Sequence, residues 1–196
     1  MELENVEMVL ESMKNAVIHN YIAPGLDSFL LNKNDCKVRM FQMTRPQEMY
    51  ITPHNHRFDF ACCVIKGWVT HYVYEQIGGH NNIYHQIPQE AGKMEYRAHQ
   101  INEYTPHNKV PGQGSNKNFT ILNKGYGLFV RNRATYHIGD WYTLHKDQFH
   151  AIEFTLGSKV LFLEGANQRD TSYFLEPVVN GKVISLFTVP EWMYQP

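Results

Sequence analysis

Thr52-Pro53-His54-Asn55-His56-Arg57-Phe58-Asp59-Phe60, running on through Ala61-Cys62-Cys63-Val64-Ile65-Lys66 to Gly67, sets two histidines one residue apart at the head of an apolar, β-prone run that ends in glycine. Within a strand, residues i and i+2 project from the same face. A strand here therefore sets the imidazoles of His54 and His56 side by side. Neutral imidazole is the commonest protein ligand for Fe, Zn, Cu and Ni, so the pair is suited to grip one divalent metal ion. Such an ion needs at least a third ligand. The chain offers His150, which opens a strand-like run from His150 to Leu156 after the polar turn Lys146-Asp147-Gln148. Two strands that each carry histidine near one end converge if the sheet closes into a barrel.

The two segments resemble the paired motifs of the cupin superfamily. The usual first motif has two histidines one residue apart, then an acid, then a glycine; His54, His56 and Gly67 match it. The second has a glycine, a proline-containing turn and then a histidine; Gly139 and His150 match, and Gly139-Asp140 resembles its usual opening. Two places depart from the pattern: Phe60 stands in the position of the acid, and His145 and Asp147 stand where proline and glycine are usual. The likeness covers roughly residues 38 to 165. It implies an all-β fold, the cupin-type double-stranded β-helix or jelly-roll barrel; ahead of it the residue pattern itself predicts an N-terminal α-helix.

At 196 residues the chain is long enough for one domain that buries about 70% of its unfolded surface. Charges are scattered and the formal net charge is −1, which gives no basic footprint for nucleic acid. No apolar run reaches the ~18 residues of a spanning helix. The start, Met1-Glu2-Leu3-Glu4-Asn5, is acidic and lacks the basic region and apolar core of a secretory signal. Three cysteines, Cys36, Cys62 and Cys63, suit a reducing compartment better than a disulfide scaffold. Cys62 and Cys63, adjacent in a predicted strand, point to opposite faces. The expectation is a cytoplasmic protein with a small-molecule substrate and neither nucleic-acid nor membrane partners. Twelve tyrosines and eleven histidines are many for this length; aromatics favour strands and line pockets.

Residues 2 to 19 read as an amphipathic helix. Val6, Val9, Leu10, Met13 and Val17 follow helical spacing, and Glu2, Glu4 and Glu7 lie early, where the helix dipole favours acids. With the turn Ile22-Ala23-Pro24-Gly25 this helix makes an N-terminal unit over residues 1–24, ahead of a β domain over 25–196. The helix covers a sheet edge or the bottom of a barrel, or it makes a dimer contact. Strands are predicted at 28–31, 37–43, 49–52, 56–65, 69–75, 83–86, 119–122, 127–132, 134–138, 141–144, 151–156, 160–164, 173–175 and 183–187. Many short strands with turn signals predict a sandwich or barrel. The looser stretch from Gly78 to Asn118 is expected to hold an extra hairpin and a rim loop at Pro111-Gly112-Gln113-Gly114-Ser115-Asn116.

Around the histidines several side chains are candidates for the chemistry. Asp59 is the nearest acid. Strict alternation puts it on the opposite face from His54 and His56, whereas a β-bulge would swing it inward. A three-histidine site and a two-histidine-plus-carboxylate site therefore both stand. His71 follows Gly67 and is an acid–base candidate; Tyr72 and Tyr74 share the opposite face, so a regular strand presents either His71 or the tyrosines to the pocket. Tyr136 and Tyr142 could hydrogen-bond a substrate, and an inward Arg131 would anchor a carboxylate or phosphate. His145 reads as a residue beside the site or on the surface.

The metal expected at His54, His56 and His150 is Fe(II), with Zn, Mn or Ni as alternatives. With iron, the likeness to the cupin thiol dioxygenases implies oxygen chemistry on a small organic substrate. With the other ions the metal is a Lewis acid supporting isomerase or lyase chemistry. A non-catalytic small-molecule-binding barrel is the rival class, since fold does not fix function. A third possibility is a barrel that the metal only staples. The resemblance also implies a homodimer, through a β-edge or the N-terminal helix.

Overall fold

The apolar runs of the chain become strands in a computed structural model that describes residues 3–14, 16–32, 37–47, 51–79, 96–106, 119–179 and 182–183. A helix, α1 (Leu3–Ser12), precedes β1 (Ala16–Ile18), β2 (Leu26–Asn32), β3 (Lys37–Met43), β4 (Phe60–Lys66), β5 (Trp68–Gly79) and β6 (Tyr96–Pro106). Then follow β7 (Phe119–His137), β8 (Trp141–Leu144), β9 (Phe149–Phe154), β10 (Lys159–Glu164), β11 (Ser172–Val179) and β12 (Lys182–Val183). The strands form two antiparallel sheets, ordered β1-β2-β3-β10-β4-β8 and β12-β11-β6-β7-β5-β9. From β3 to β10 the chain crosses between the sheets repeatedly, so that β4–β5 wraps against β7–β8 and β3 lies beside β10. This nested arrangement of a long hairpin folded over on itself is the jelly roll. The all-β fold with an N-terminal helix is the one the sequence implies.

Alternation places the core. In β4, Phe60, Cys62 and Val64 point between the sheets and join Phe41, Met43, Val69, Leu144, Ile152, Phe154, Val160 and Phe162 in the main core. Cys63 and Ile65 point the other way, where Leu10 of α1 packs on them with Leu31 and Met40. The adjacent cysteines thus face opposite sides of the sheet, as expected, and both are free, buried thiols. Burying side chains of this size contributes about 2 kcal/mol each. Lys159 on β10 fastens the helix down, with Nζ 2.7 Å from Glu7 and 2.5 Å from Glu11. The helix therefore covers the outer face of a sheet rather than an edge or the barrel's end.

The helix is shorter than the predicted span of residues 2 to 19. It stops at Ser12, whose hydroxyl donates back to the Val9 carbonyl (2.7 Å). The β-branched residues Val17 and Ile18 then find partners in Phe29 and Ser28 and extend the first sheet. Gly67 turns β4 into β5 at φ +70°, and a Cβ there would lie 3.1 Å from Ser158 Cα. In the middle of the chain β6 and β7 pair antiparallel from Tyr96 and Val130 to Pro106 and Phe119; of these two strands β6 alone lies within the stretch 78–118 where an extra hairpin is expected. The predicted strand at 83–86, the rim loop at 111–116 and Cys36 lie outside the described residues. Among the described residues, no helix is long and apolar enough to cross a membrane.

Candidate metal centre

Residues 51–59 do not form the regular strand that the spacing of His54 and His56 suggests. The segment is irregular, with an isolated bridge at His54. Pro53 has no N–H to give a ladder, and the chain here serves two neighbours. His54 N donates to His150 O (2.9 Å) and His150 N returns to His54 O (2.8 Å). On the other side Asn55 N donates to Tyr173 O (2.9 Å) and Leu175 N to Pro53 O (2.8 Å). The segment thereby ties β9 to β11 and brings His54, His56 and His150 together, one potential ligand atom from each lying within 4.8 Å of the others.

The ring geometry defines which nitrogens face inward. His54 Nδ1 lies 2.8 Å from the Thr52 carbonyl. A carbonyl only accepts, so Nδ1 carries the proton and Nε2 keeps the lone pair. His56 Nε2 and His150 Nε2 face each other at 2.8 Å. Nitrogens bound side by side to one ion at ~2.1 Å lie about 3 Å apart. On the far side of His150, Nδ1 is 2.8 Å from His71 Nε2. Tying the second ring nitrogen of a ligand imidazole to a partner is the usual support for a metal-binding histidine.

Electrostatics keep these rings in the ligating form. Burial pushes the His54 pKa down. His56 is pushed well below its usual range by burial and then by its neighbours His54, Arg169, Arg57 and His71, beside which a proton on its ring would be repelled. His150 is likewise held well below, by burial and then by His54, His56 and His71. Neutral imidazole is the form that binds metal. The donor set therefore fits a divalent ion.

Aromatic rings wall the cluster. Phe60, in the position where the acid of the resembling motif would stand, packs its ring edge against His56 (4.7 Å between centroids) and lies 5.3 Å from His150. Phe58 lies 5.2 Å from His56, and Phe162 backs Phe60 at 4.9 Å. Asp59 turns away. Its carboxylate accepts from Lys146 N (2.7 Å) and Gln168 Nε2 (3.0 Å), and the Lys146 bond first of all lowers its pKa. No bulge swings it inward, so the two-histidine-plus-carboxylate arrangement does not form.

No family model matches the sequence, and no curated protein does. Among solved structures, Fe(II) HppE overlaps 76% of this chain and 55% of its own, at 8% identity and a TM-score of 0.39. Streptomyces albus HEPD with 2-hydroxyethylphosphonate and Fe(II) overlaps 78% of this chain and 24% of its own, at 8% identity and 0.40. Cellulomonas parahominis L-ribose isomerase with L-ribose overlaps 97% and 85%, at 11% identity and 0.37. The chain thus spans about half the length of the first and a quarter of the second. The chemistry of the site is read from its own residues.

The remaining sequence candidates divide by face. His71 lies on the inner face of β5, diagonal to His150, with Tyr142 (4.9 Å) and Tyr136 (6.2 Å) against its ring. Tyr136 and Tyr142 stack at 4.4 Å behind it rather than beside the three ligand rings. Tyr72 and Arg131 sit on the opposite face. Tyr72 OH donates to Glu153 (2.9 Å) and the Arg131 guanidinium lies over the Tyr72 ring (4.7 Å). A regular β5 cannot present both His71 and Tyr72 inward, and it presents His71. His145 is exposed, its Nδ1 3.3 Å from Asp147.

Sequence reading missed Arg169. Its Nη2 donates to the carbonyls of His56 (2.5 Å) and Lys146 (2.7 Å), and its Nη1 pairs with Asp147 (2.7 Å). One guanidinium thus joins the histidine-bearing segment to the turn before β9. Nothing in the polar stretch Asn167-Gln168-Arg169-Asp170 signals this, because the partners are backbone oxygens more than a hundred residues away for His56.

Proposed function

We propose that this chain is a mononuclear metal enzyme acting on a small organic substrate, with one Fe(II) held by His54, His56 and His150 and a dioxygenase type of reaction. The observation that carries the reading is the all-imidazole set, with Nδ1 of His54 tied to Thr52 and Nδ1 of His150 tied to His71. When bound, the ion supplies a Lewis acid and, as iron, a means of activating oxygen. Three neutral ligands leave it its full charge and open positions for substrate.

The chain's own residues do the rest. Phe58, Phe60 and Phe162 exclude water from one side of the cluster and offer an apolar surface to a substrate. With Asp59 engaged at Lys146 and Gln168, a carboxylate does not compete with an anionic substrate group for the ion. A cytoplasmic setting agrees with the free thiols of Cys62 and Cys63.

Oxygen uptake tests the reading. Protein reconstituted with Fe(II) under anaerobic conditions is screened with small thiols, phenols and carbonyl acids. Substrate-dependent uptake that disappears in His150→Ala supports a dioxygenase. Turnover without oxygen, supported by Zn, Mn or Ni, would replace it with an isomerase or lyase. Tight ligand binding without turnover would make the chain a binding module.

A further inference from the structure

Arg57 stands in the chain between the ligand candidate His56 and the buried ring of Phe58. Its side chain is half-buried, and among the described residues its guanidinium meets neither a carboxylate nor another hydrogen-bond acceptor. The acids of this region are already engaged. Asp59, two residues on, accepts from Lys146 N (2.7 Å) and Gln168 Nε2 (3.0 Å). Asp147 pairs with Arg169 (2.7 Å) and Glu164 with Lys37 (2.7 Å). A charge sheltered from water is normally paired, so Arg57 keeps its capacity for an anion from outside the chain.

An apolar wall leads away from the same histidine. The Phe162 ring lies 6.3 Å from His56 and 6.3 Å from Phe58. It is 5.4 Å from Phe41, which leads on to Tyr21 at 5.6 Å. The Arg57 charge acts on both ends of this wall, on the His56 ring and on the buried Tyr21 hydroxyl. A second guanidinium flanks it. Arg39 stands directly across from Phe162 in the β3–β10 register, so the two share a face. It lies over the Tyr21 ring (5.9 Å) and donates to Ser28 Oγ (3.2 Å). Among the described residues no carboxylate meets Arg39 either, so the field along the wall is positive.

We infer that the substrate of this site is an organic anion, its carboxylate or phosphate oxygens bound by Arg57 and its apolar body laid on the Phe58–Phe162 wall. The inference rests on the reading of the chain as an enzyme for a small substrate, and it gives that substrate a chemical class. A guanidinium presents a planar fork that matches an oxyanion through two parallel N–H···O bonds. Small-molecule sites combine apolar rings with a few polar groups that fix orientation. Because Arg57 adjoins His56 in the chain, it ties the place of the anion to that of the ligand candidates. Arg131, the arginine that the sequence offers for this part, lies over Tyr72 on the opposite face.

Titration calorimetry with benzoate, phenyl phosphate and neutral benzamide tests this, on metal-free and on Zn(II)-loaded protein. At least one of the two anions is expected to bind the wild type more tightly than benzamide, and the tighter one names the oxyanion that fits the fork. Arg57→Met is expected to weaken that anion by about 10- to 100-fold and to leave benzamide unchanged. Arg57→Lys, which keeps the charge without the fork, is expected to restore part of the loss. Benzamide binding as tightly as both anions, or no saturable binding of either anion, would overturn the inference and needs no variant to fold. So would a folded Arg57→Met protein that binds the anions as the wild type does. Zn(II) uptake by the same samples separates this from the metal reading. Arg57-dependent anion binding by a wild type that takes up no Zn(II) upholds the anion site and sinks the metal centre; Zn(II) uptake without anion binding does the reverse.

Discussion

Arg169 holds His56 by its carbonyl oxygen, across 2.5 Å, and with the same nitrogen holds the Lys146 carbonyl at 2.7 Å. One cation thereby fixes the backbone of a ligand candidate relative to the turn that leads into His150.

Replacing Arg169 by alanine leaves those two oxygens without their charged donor. Hydrogen bonds to a charged group contribute about 1.5–3 kcal/mol each, so loss of the two in Arg169→Ala is expected to lower unfolding free energy by about 3–6 kcal/mol. Metal affinity should fall with it, as His56 loosens. Urea melts and chelator competition measure both. Unchanged affinity in a folded Arg169→Ala protein would show that the clamp does not set the geometry of the histidines.

The metal-free protein should lose stability in mild acid. Burial lowers the pKa of His54, His56, His71 and His150, that of His71 from 6.5 to about 4. The unfolded chain then binds protons that the folded chain refuses. Stability is full above about pH 6.5 and falls as the pH drops toward the folded values, by about 1.4 kcal/mol per pH unit for each histidine concerned. Urea melts between pH 7.5 and 5 should show this slope, and a bound metal should steepen it, because protons and metal compete for the same nitrogens. A flat profile over that range would mean that the rings are hydrated.

Gly67 should resist substitution. Its φ of +70° disfavours any side chain, and a Cβ would press to 3.1 Å on the Ser158 backbone. Gly67→Ala is expected to cost about 1–2 kcal/mol, read as a lower urea midpoint with an unchanged slope. An unaltered midpoint would show that the β4–β5 bend adapts.

Much of the fold is legible in the sequence because alternation and turn residues are local. Lys37–Met43 and Trp141–Leu144 form strands at the predicted limits, and Gly67 turns where a turn is predicted. The failures come where a distant partner decides. Val17 and Ile18 leave the predicted helix because β2 offers them a strand edge. The segment around His54 departs from strand geometry because β9 and β11 both claim its backbone. At the site, the approach of His54, His56 and His150 follows from motif and order. The turning-away of Asp59 depends on Lys146 and Gln168, and the clamp of Arg169 on two backbone oxygens. No spacing in the sequence encodes either.

The most direct test of the central claim is metal content by elemental analysis of protein purified without an affinity tag, wild type beside His54→Ala/His56→Ala. About one divalent ion per folded wild-type chain, lost in the variant, is the expected result. No metal in either protein, even after anaerobic reconstitution with Fe(II), would contradict the account.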